Sequence, residues 1–164
     1  MSDDHHQALV LARCAMRAGD AGDECVTCAT WEEVERSYDE RLAPHFAIEE
    51  EFLLPALEAV GEAAFAERTR ADHRRLHGLV HGEGRRSAKR LSEFGAALRD
   101  HVRFEERELF PLCEERLSGV VLAAVSAACA HTRTEGSGQD APADQGRPRE
   151  AAMNEEPLPH DHEA

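Results

Sequence analysis

Aromatic residues make up only 5% of this 164-residue chain, with one Trp and one Tyr, and runs of β-branched residues are scarcer still. No window sustains the period-two alternation of a half-buried strand. Long apolar runs are also missing. The longest, Val120 to Val125, is far short of the roughly 18 residues of a membrane span. The N-terminal segment has neither the basic start nor the apolar stretch of a signal peptide. Positive charge is in short supply: 19 Lys+Arg against 33 Asp+Glu give a formal charge of −14, which argues against nucleic acid as a partner because its phosphates would be repelled. Cysteines are few and unpatterned. Cys14, Cys25, Cys28, Cys113 and Cys129 form no disulfide framework and fit a reducing compartment. A soluble, cytoplasmic protein without a membrane partner is expected. Cys25-Val-Thr-Cys28 is a C-x-x-C with no second pair for zinc and no strand before it, so it reads as a reduced pair in a loop.

What the chain does have is Ala, Glu, Leu and Arg throughout, all good helix formers, and a hydrophobic fraction of 41%, enough for one modest core. Glycine and proline divide it into helical stretches. The first runs from Asp3 to Arg17, before Gly19 and Gly22. The second starts near Thr30, a potential N-cap with Glu33 as capping-box partner, and reaches Val60, with a kink expected at Pro44, Pro55 or both. The third spans Glu62 to Val80, and the fourth Ser87 to Leu117. A short fifth segment, Val120 to His131, is apolar enough to cover one end. The predicted fold is all-α: an antiparallel up-down four-helix bundle over residues 1–131. Residues 132–164 form an acidic Pro/Gly-rich stretch, expected to be a disordered tail because it has too little apolar surface to offset its ordering entropy. His160 and His162 within it are expected to be solvated.

The histidines are patterned. His45 and Glu49, and His101 and Glu105, are H-x-x-x-E pairs, and His73 and His77 are an H-x-x-x-H pair. Residues i and i+4 share a helix face. Each pair falls on an apolar stripe: Trp31, Tyr38, Leu42, Phe52 and Ala56 on the second helix, Phe94, Leu98, Leu109 and Leu112 on the fourth, and Ala66, Leu76 and Val80 on the third. On the first helix, counting from His5 gives Leu9, Ala12 and Met16, whereas counting from His6 gives Val10, Arg13 and Arg17; His5 is the inward one. His81 falls near the glycine-rich end, outside the set. The outward acids Glu50, Glu51, Glu106 and Glu108 read mostly as a solvated face, with Glu106 the rival of Glu105. A single inward histidine is usually a satisfied core residue. Three such pairs are not, because buried ionisable groups are seldom tolerated unpaired. His5, His45, Glu49, His73, His77, His101 and Glu105 therefore suit a pair of first-row transition ions, with the two carboxylates bridging. His/Glu ligation alone leaves Fe, Mn and a mixed Fe/Mn pair open.

These motifs resemble the hemerythrin-like (HHE cation-binding) family over about residues 3–117. The resemblance is carried by Asp4-His5-His6, by His45 to Glu50 followed by Leu54-Pro55, by Asp72-His73 to Leu76, and by His101 to Pro111. It implies a non-haem di-iron centre, oxo- or hydroxo-bridged, with those seven residues as ligands and a pocket for O2 or a similar small ligand. The HHE pattern does not always include a histidine at the position of His77. In the oxygen carriers the last motif spaces histidine and a bridging aspartate by five; here glutamate follows at four. That is similar to the HHE branch, associated with oxygen or iron sensing and with peroxide or NO chemistry, rather than simple oxygen transport. Two functions follow as expectations: reversible binding of O2, NO or peroxide for sensing, storage or detoxification, or a di-iron oxidase or peroxidase (catalase-like) enzyme. For the enzyme, Tyr38 is the candidate catalytic proton donor; its alternative is a core tyrosine bonded to a backbone carbonyl. Helix phase directs Phe52 and Phe94, among the phenylalanines, toward the site.

Overall fold

The computed structural model describes residues 2–84 and 86–136. Among them the chain is helical apart from short connections, without a strand. The elements are α1 (Ser2–Ala21), α2 (Glu24–Ser37), α3 (Ala43–Ile48), α4 (Leu54–Ala59), α5 (Ala63–His81), α6 (Ala88–Phe104), α7 (Phe110–Arg116) and α8 (Gly119–Gly136). Helices α2, α3 and α4 form one continuous rod, joined by the π-helical segments Tyr38–Leu42 and Glu49–Leu53. A third π-segment, Glu105–Leu109, joins α6 to α7 in the same way.

The prolines account for these segments. Pro44, Pro55 and Pro111 each sit in the first turn after one, where a regular α-helix would drive the ring into the carbonyl four residues back. Widening the turn removes the clash. The residue before each proline instead donates its N–H five residues back: Ala43 to Tyr38, Leu54 to Glu49 and Phe110 to Glu105. The expected kinks are thus absorbed as one extra residue per turn.

Two other boundaries differ from expectation. The second rod begins at Glu24, not near Thr30, because Gly22 at φ 69° turns the chain and Asp23 caps it by accepting from the Val26 N–H at 2.9 Å. Thr30 lies inside α2 and donates its hydroxyl to the Val26 carbonyl. Cys25 and Cys28 are consequently exposed residues of a helix rather than of a loop. Helix α1 continues past Arg17 through Gly19, which serves close packing: a Cβ there would meet the Ala88 carbonyl oxygen at 2.5 Å. Gly95 plays the matching part on α6, facing the Ala12 carbonyl and Met16. Helix α8 runs beyond His131 to Gly136, and the rest of the expected tail lies outside the described residues.

Two apolar clusters form. One gathers Ala8, Leu11, Ala12, Ala15, Trp31, Val34, Leu42, Phe46, Leu76, Leu91, Phe94, Leu98 and Val102. The other gathers Ile48, Leu53, Leu54, Leu57, Ala66, Phe104, Leu109, Cys113, Leu117 and Val125, with Val121, Leu122 and Ala128 of α8 packed against it. Each large apolar side chain so buried contributes roughly 1.5–3 kcal/mol. Along α5, along α6–α7 and along the α2–α4 rod, the chain passes from one cluster to the other through a short layer of histidine and glutamate.

Candidate metal centre

That layer contains His5 in the first turns of α1, His45 in α3, Glu49 opening the second π-segment, His73 in α5, His101 in α6 and Glu105 opening the third π-segment. Glu49 is 0% exposed and Glu105 1%. A carboxylate so far from water requires a cation or strong donors. Each of the four carboxylate oxygens faces a different histidine. Glu49 Oε1 lies 3.3 Å from His45 Nε2, and Oε2 3.4 Å from His73 Nε2. Glu105 Oε1 lies 3.1 Å from His101 Nε2, and Oε2 3.3 Å from His5 Nε2.

These approaches are close but out of line for hydrogen bonding. The Nε2 atoms of His5, His73 and His101, both oxygens of Glu49 and Oε1 of Glu105 are buried with no hydrogen-bond partner. Such orphans are rare, and several converging on one place are what ligand atoms aimed at a common cation look like. Glu49, His73, His101 and Glu105 have donor atoms all within 4.8 Å of one another, and so do His5, His45 and Glu105. The residues present fit a metal: mixed imidazole and carboxylate donors, deeply buried, sharing a carboxylate.

A second layer of acids orients the rings. Asp72 stands 3.8 Å from His101 Nδ1, too far to hydrogen-bond it, whereas Glu50 stands 2.8 Å from His73 Nδ1 and Glu106 3.4 Å from His5 Nδ1. An ionised carboxylate only accepts, so it holds the proton on Nδ1 and leaves the Nε2 lone pair facing inward. Glu50 and Glu106 thus do more than solvate the surface. Their place directly after Glu49 and Glu105 carries no signal of this by itself, because it is the widened turn of each π-segment that brings both side chains to neighbouring rods.

The electrostatics agree. Burial pushes the Glu49 carboxyl up, but His45 and His73 outweigh it and hold it well below the usual carboxylate range. Burial lowers His101, yet Glu105, Asp72 and Glu49 raise it to about 10. The contact with His101 lowers Asp72. Burial, then the charge of Glu49, lifts the Cys113 thiol to about 11.

Six of the seven expected site residues therefore come together, and His6 is exposed as its phase required. His77 does not join them. The buried stripe of α5 is Ala66, Thr69, His73, Leu76 and Val80, which leaves His77 on its flank, exposed beside Tyr38 and His81 with ring centroids at 6.1 and 5.1 Å. Tyr38 is buried, its hydroxyl pushed up to about 12 by burial and then by Asp39 and Glu50. Its described ring contacts are Phe46, His77 and His81, none of them among the six. The phenylalanines against the site also differ from expectation. Phe46 stacks on His73 at 4.1 Å and Phe110 on His5 at 5.3 Å, while Phe52 is 41% exposed and Phe94 packs within the first apolar cluster. After Tyr38 and Leu42, where the expected stripe holds, the extra residue in each π-segment buries Phe46, and Leu53 in place of Phe52.

The sequence matches the family described as the hemerythrin HHE cation binding domain over residues 1–113. Comparison with curated proteins and with solved structures finds no match.

Proposed function

Because the chain belongs to the hemerythrin HHE cation-binding family, we propose that the six converging residues hold two iron ions in an antiparallel four-helix bundle that binds O2 or a related small ligand. The ligand class includes NO and peroxide, and the role is sensing, storage or detoxification. One observation carries the reading: the four oxygens of Glu49 and Glu105 face four different histidines. His73 and His101 would then serve one ion and His5 and His45 the other, with both glutamates spanning the pair. The antiparallel arrangement is supported by the order in which each rod meets the apolar clusters. Helix α1 leads from the site into the first cluster, the α2–α4 rod from first to second, α5 from second to first, and α6–α7 from first to second.

When bound, a di-iron centre supplies the electrons for reversible reduction of a small oxygen ligand. The chain supplies the rest. Glu49 and Glu105 neutralise cationic charge where water is excluded. Glu50 and Glu106 keep the lone pairs of His73 and His5 aimed inward. Phe46 and Phe110 wall the histidines with apolar rings that carry no proton to give a bound ligand. Manganese or a mixed Fe/Mn pair satisfies the same donors. The cytoplasm is the compartment that suits the free, exposed thiols of Cys14, Cys25 and Cys28; among the described residues no helix is long and apolar enough to cross a membrane.

The exposed position of His77 favours a second reading, a di-iron oxidase or a peroxidase (catalase-like) enzyme acting on peroxide or a small organic substrate. With four imidazoles rather than five, more coordination positions stay open for exogenous ligands. Iron-replete expression, a metal count and visible spectra under air, under nitrogen and after peroxide separate the cases. About two irons per chain with an air-dependent band that reverses on deoxygenation supports the binding protein. Rapid loss of peroxide with evolution of oxygen supports the enzyme. Failure to retain iron, or retention of a single ion, overturns the di-iron reading.

A further inference from the structure

The six residues of the buried layer do not gather evenly. Glu49, His73, His101 and Glu105 bring four donor atoms within 4.8 Å of one another, and all four residues are buried, whereas His5, His45 and Glu105 bring only three. The three-donor group also lies nearer the solvent: the His45 side chain is 12% exposed, against 4% for His73 and 1% for His101. Its supports are looser. Glu50 hydrogen-bonds His73 Nδ1 at 2.8 Å, while Glu106 stands 3.4 Å from His5 Nδ1. Phe46 stacks on His73 at 4.1 Å, and Phe110 on His5 at 5.3 Å. The backbone adds a further difference. His73 lies well inside α5, and His101 is carried on α6, which runs on through the third π-segment into α7. His5 stands in the first turn of α1 (Ser2–Ala21), and the first N–H groups of a helix have no partner within it, so local opening costs least there.

On the di-iron reading, on which this rests, we infer that the two ions are held unequally: the one served by His73 and His101 is retained, and the one served by His5 and His45 exchanges, with the first turn of α1 as its gate. Four donors already gathered lose less freedom on binding than three that are loosely held, and loosely supported ligands bind a metal more weakly. Opening the first turn of α1 withdraws His5 alone. The four donors of the retained ion stay where they are, since none of them lies on α1. The converse does not hold, because His73 and His101 cannot leave without breaking the interior of a rod. The outer position therefore fills and empties over a range of iron concentration in which the inner one stays filled. Filling it draws His5 inward and closes the turn, so the order of the start of α1 follows the supply of iron.

The test loads the full-length chain with Fe2+ under nitrogen, counts the iron, and then follows its release to a coloured ferrous chelator together with amide hydrogen exchange at residues 2–9. Wild type is expected to lose one iron about tenfold faster than the other, and exchange at residues 2–9 to quicken during the first phase only. His5→Ala and His45→Ala should load a single iron and release it at the slow wild-type rate, whereas His73→Ala should release all that it holds in the fast phase. Release of both wild-type irons in one phase overturns the inequality, and so does slow iron in His73→Ala with none in His5→Ala. Exchange at residues 2–9 that ignores the first phase overturns the gate. The starting count keeps the two readings apart. Two irons released together overturn the inequality alone, while a single iron in wild type that His5→Ala leaves unchanged overturns the di-iron reading and the exchange with it.

Discussion

At the scale of the residue, the buried glutamates and histidines depend on acids that never reach the centre. Glu50 accepts from His73 Nδ1 and thereby fixes which nitrogen presents its lone pair. Glu50→Gln keeps the size but removes the charge that holds the proton on Nδ1. Iron affinity is expected to fall about 10–100-fold, read by competition with a coloured chelator, while the exposed position of Glu50 leaves the helical content unchanged. Unchanged affinity would reduce the Glu50–His73 contact to a surface pairing. Protonation follows a related logic. Without a cation, His101 is raised to about 10 by Glu105 and Asp72 despite its burial. A group raised on folding stabilises fully below its unfolded value and loses that contribution as pH climbs through the folded one. Glu49, depressed on folding by His45 and His73 against its burial, contributes above the ordinary carboxylate range and loses its contribution as pH falls. The melting temperature of the iron-free chain is therefore expected to drop between roughly pH 6.5 and pH 10, and also on acidification. The loaded chain should stay flatter on the alkaline side, because its His101 proton has already been displaced by the ion. Parallel alkaline profiles for the two forms would count against that exchange.

At the scale of the element, regular helical phase marked six residues that converge in one layer, and it failed at the π-segments and, for His77 and Phe94, on the regular helices α5 and α6 as well. It chose His5 over His6 on α1, where no π-segment intervenes. It assigned Phe52 to the site and overlooked Phe46, because Tyr38–Leu42 and Glu49–Leu53 each insert a residue that a period of 3.6 does not contain. The prolines after them signalled a disturbance, yet a kink and a widened turn look alike in sequence. His77 was misplaced for a subtler reason: it is one step off the centre of a stripe whose width is set by the rods packed against α5, and those contacts are not local. Deleting Phe52 should restore an α-turn and rotate Leu53, Leu54 and Leu57 by about 100°. Loss of a cooperative melting transition is expected, and a native-like melt would mean that the π-segment is dispensable. Close approach of α1 and α6 is a second element-scale feature with little trace in sequence. In Gly95→Ala the new methyl would come within 2.5 Å of the Ala12 carbonyl oxygen, so the two helices must separate. A loss of about 1–3 kcal/mol is expected, measurable by urea denaturation.

At the scale of the whole molecule, two apolar clusters are divided by a layer of six ionisable side chains, and the fold must carry that layer whether or not a metal fills it. Removing one member does not relieve the burden, because it leaves the others buried and less well matched. Metal binding and folding are therefore coupled: an ion that binds only the folded chain adds about 2.7 kcal/mol when its free concentration is 100 times the dissociation constant. Stripping iron with a chelator is expected to lower the melting temperature of the wild-type chain, and re-addition of Fe2+ under nitrogen should restore it. Glu49→Ala or His101→Ala should lose iron, melt below the stripped wild type and ignore both treatments, since each leaves the partners of the missing side chain buried without it. The comparison with stripped wild type separates the two contributions. The step from loaded to stripped measures the ion, and the step from stripped to variant measures the layer itself. A variant that retained its iron and melted with wild type would show that Glu49 or His101 is an ordinary core residue, despite a burial at which ionisable groups are seldom left unmatched.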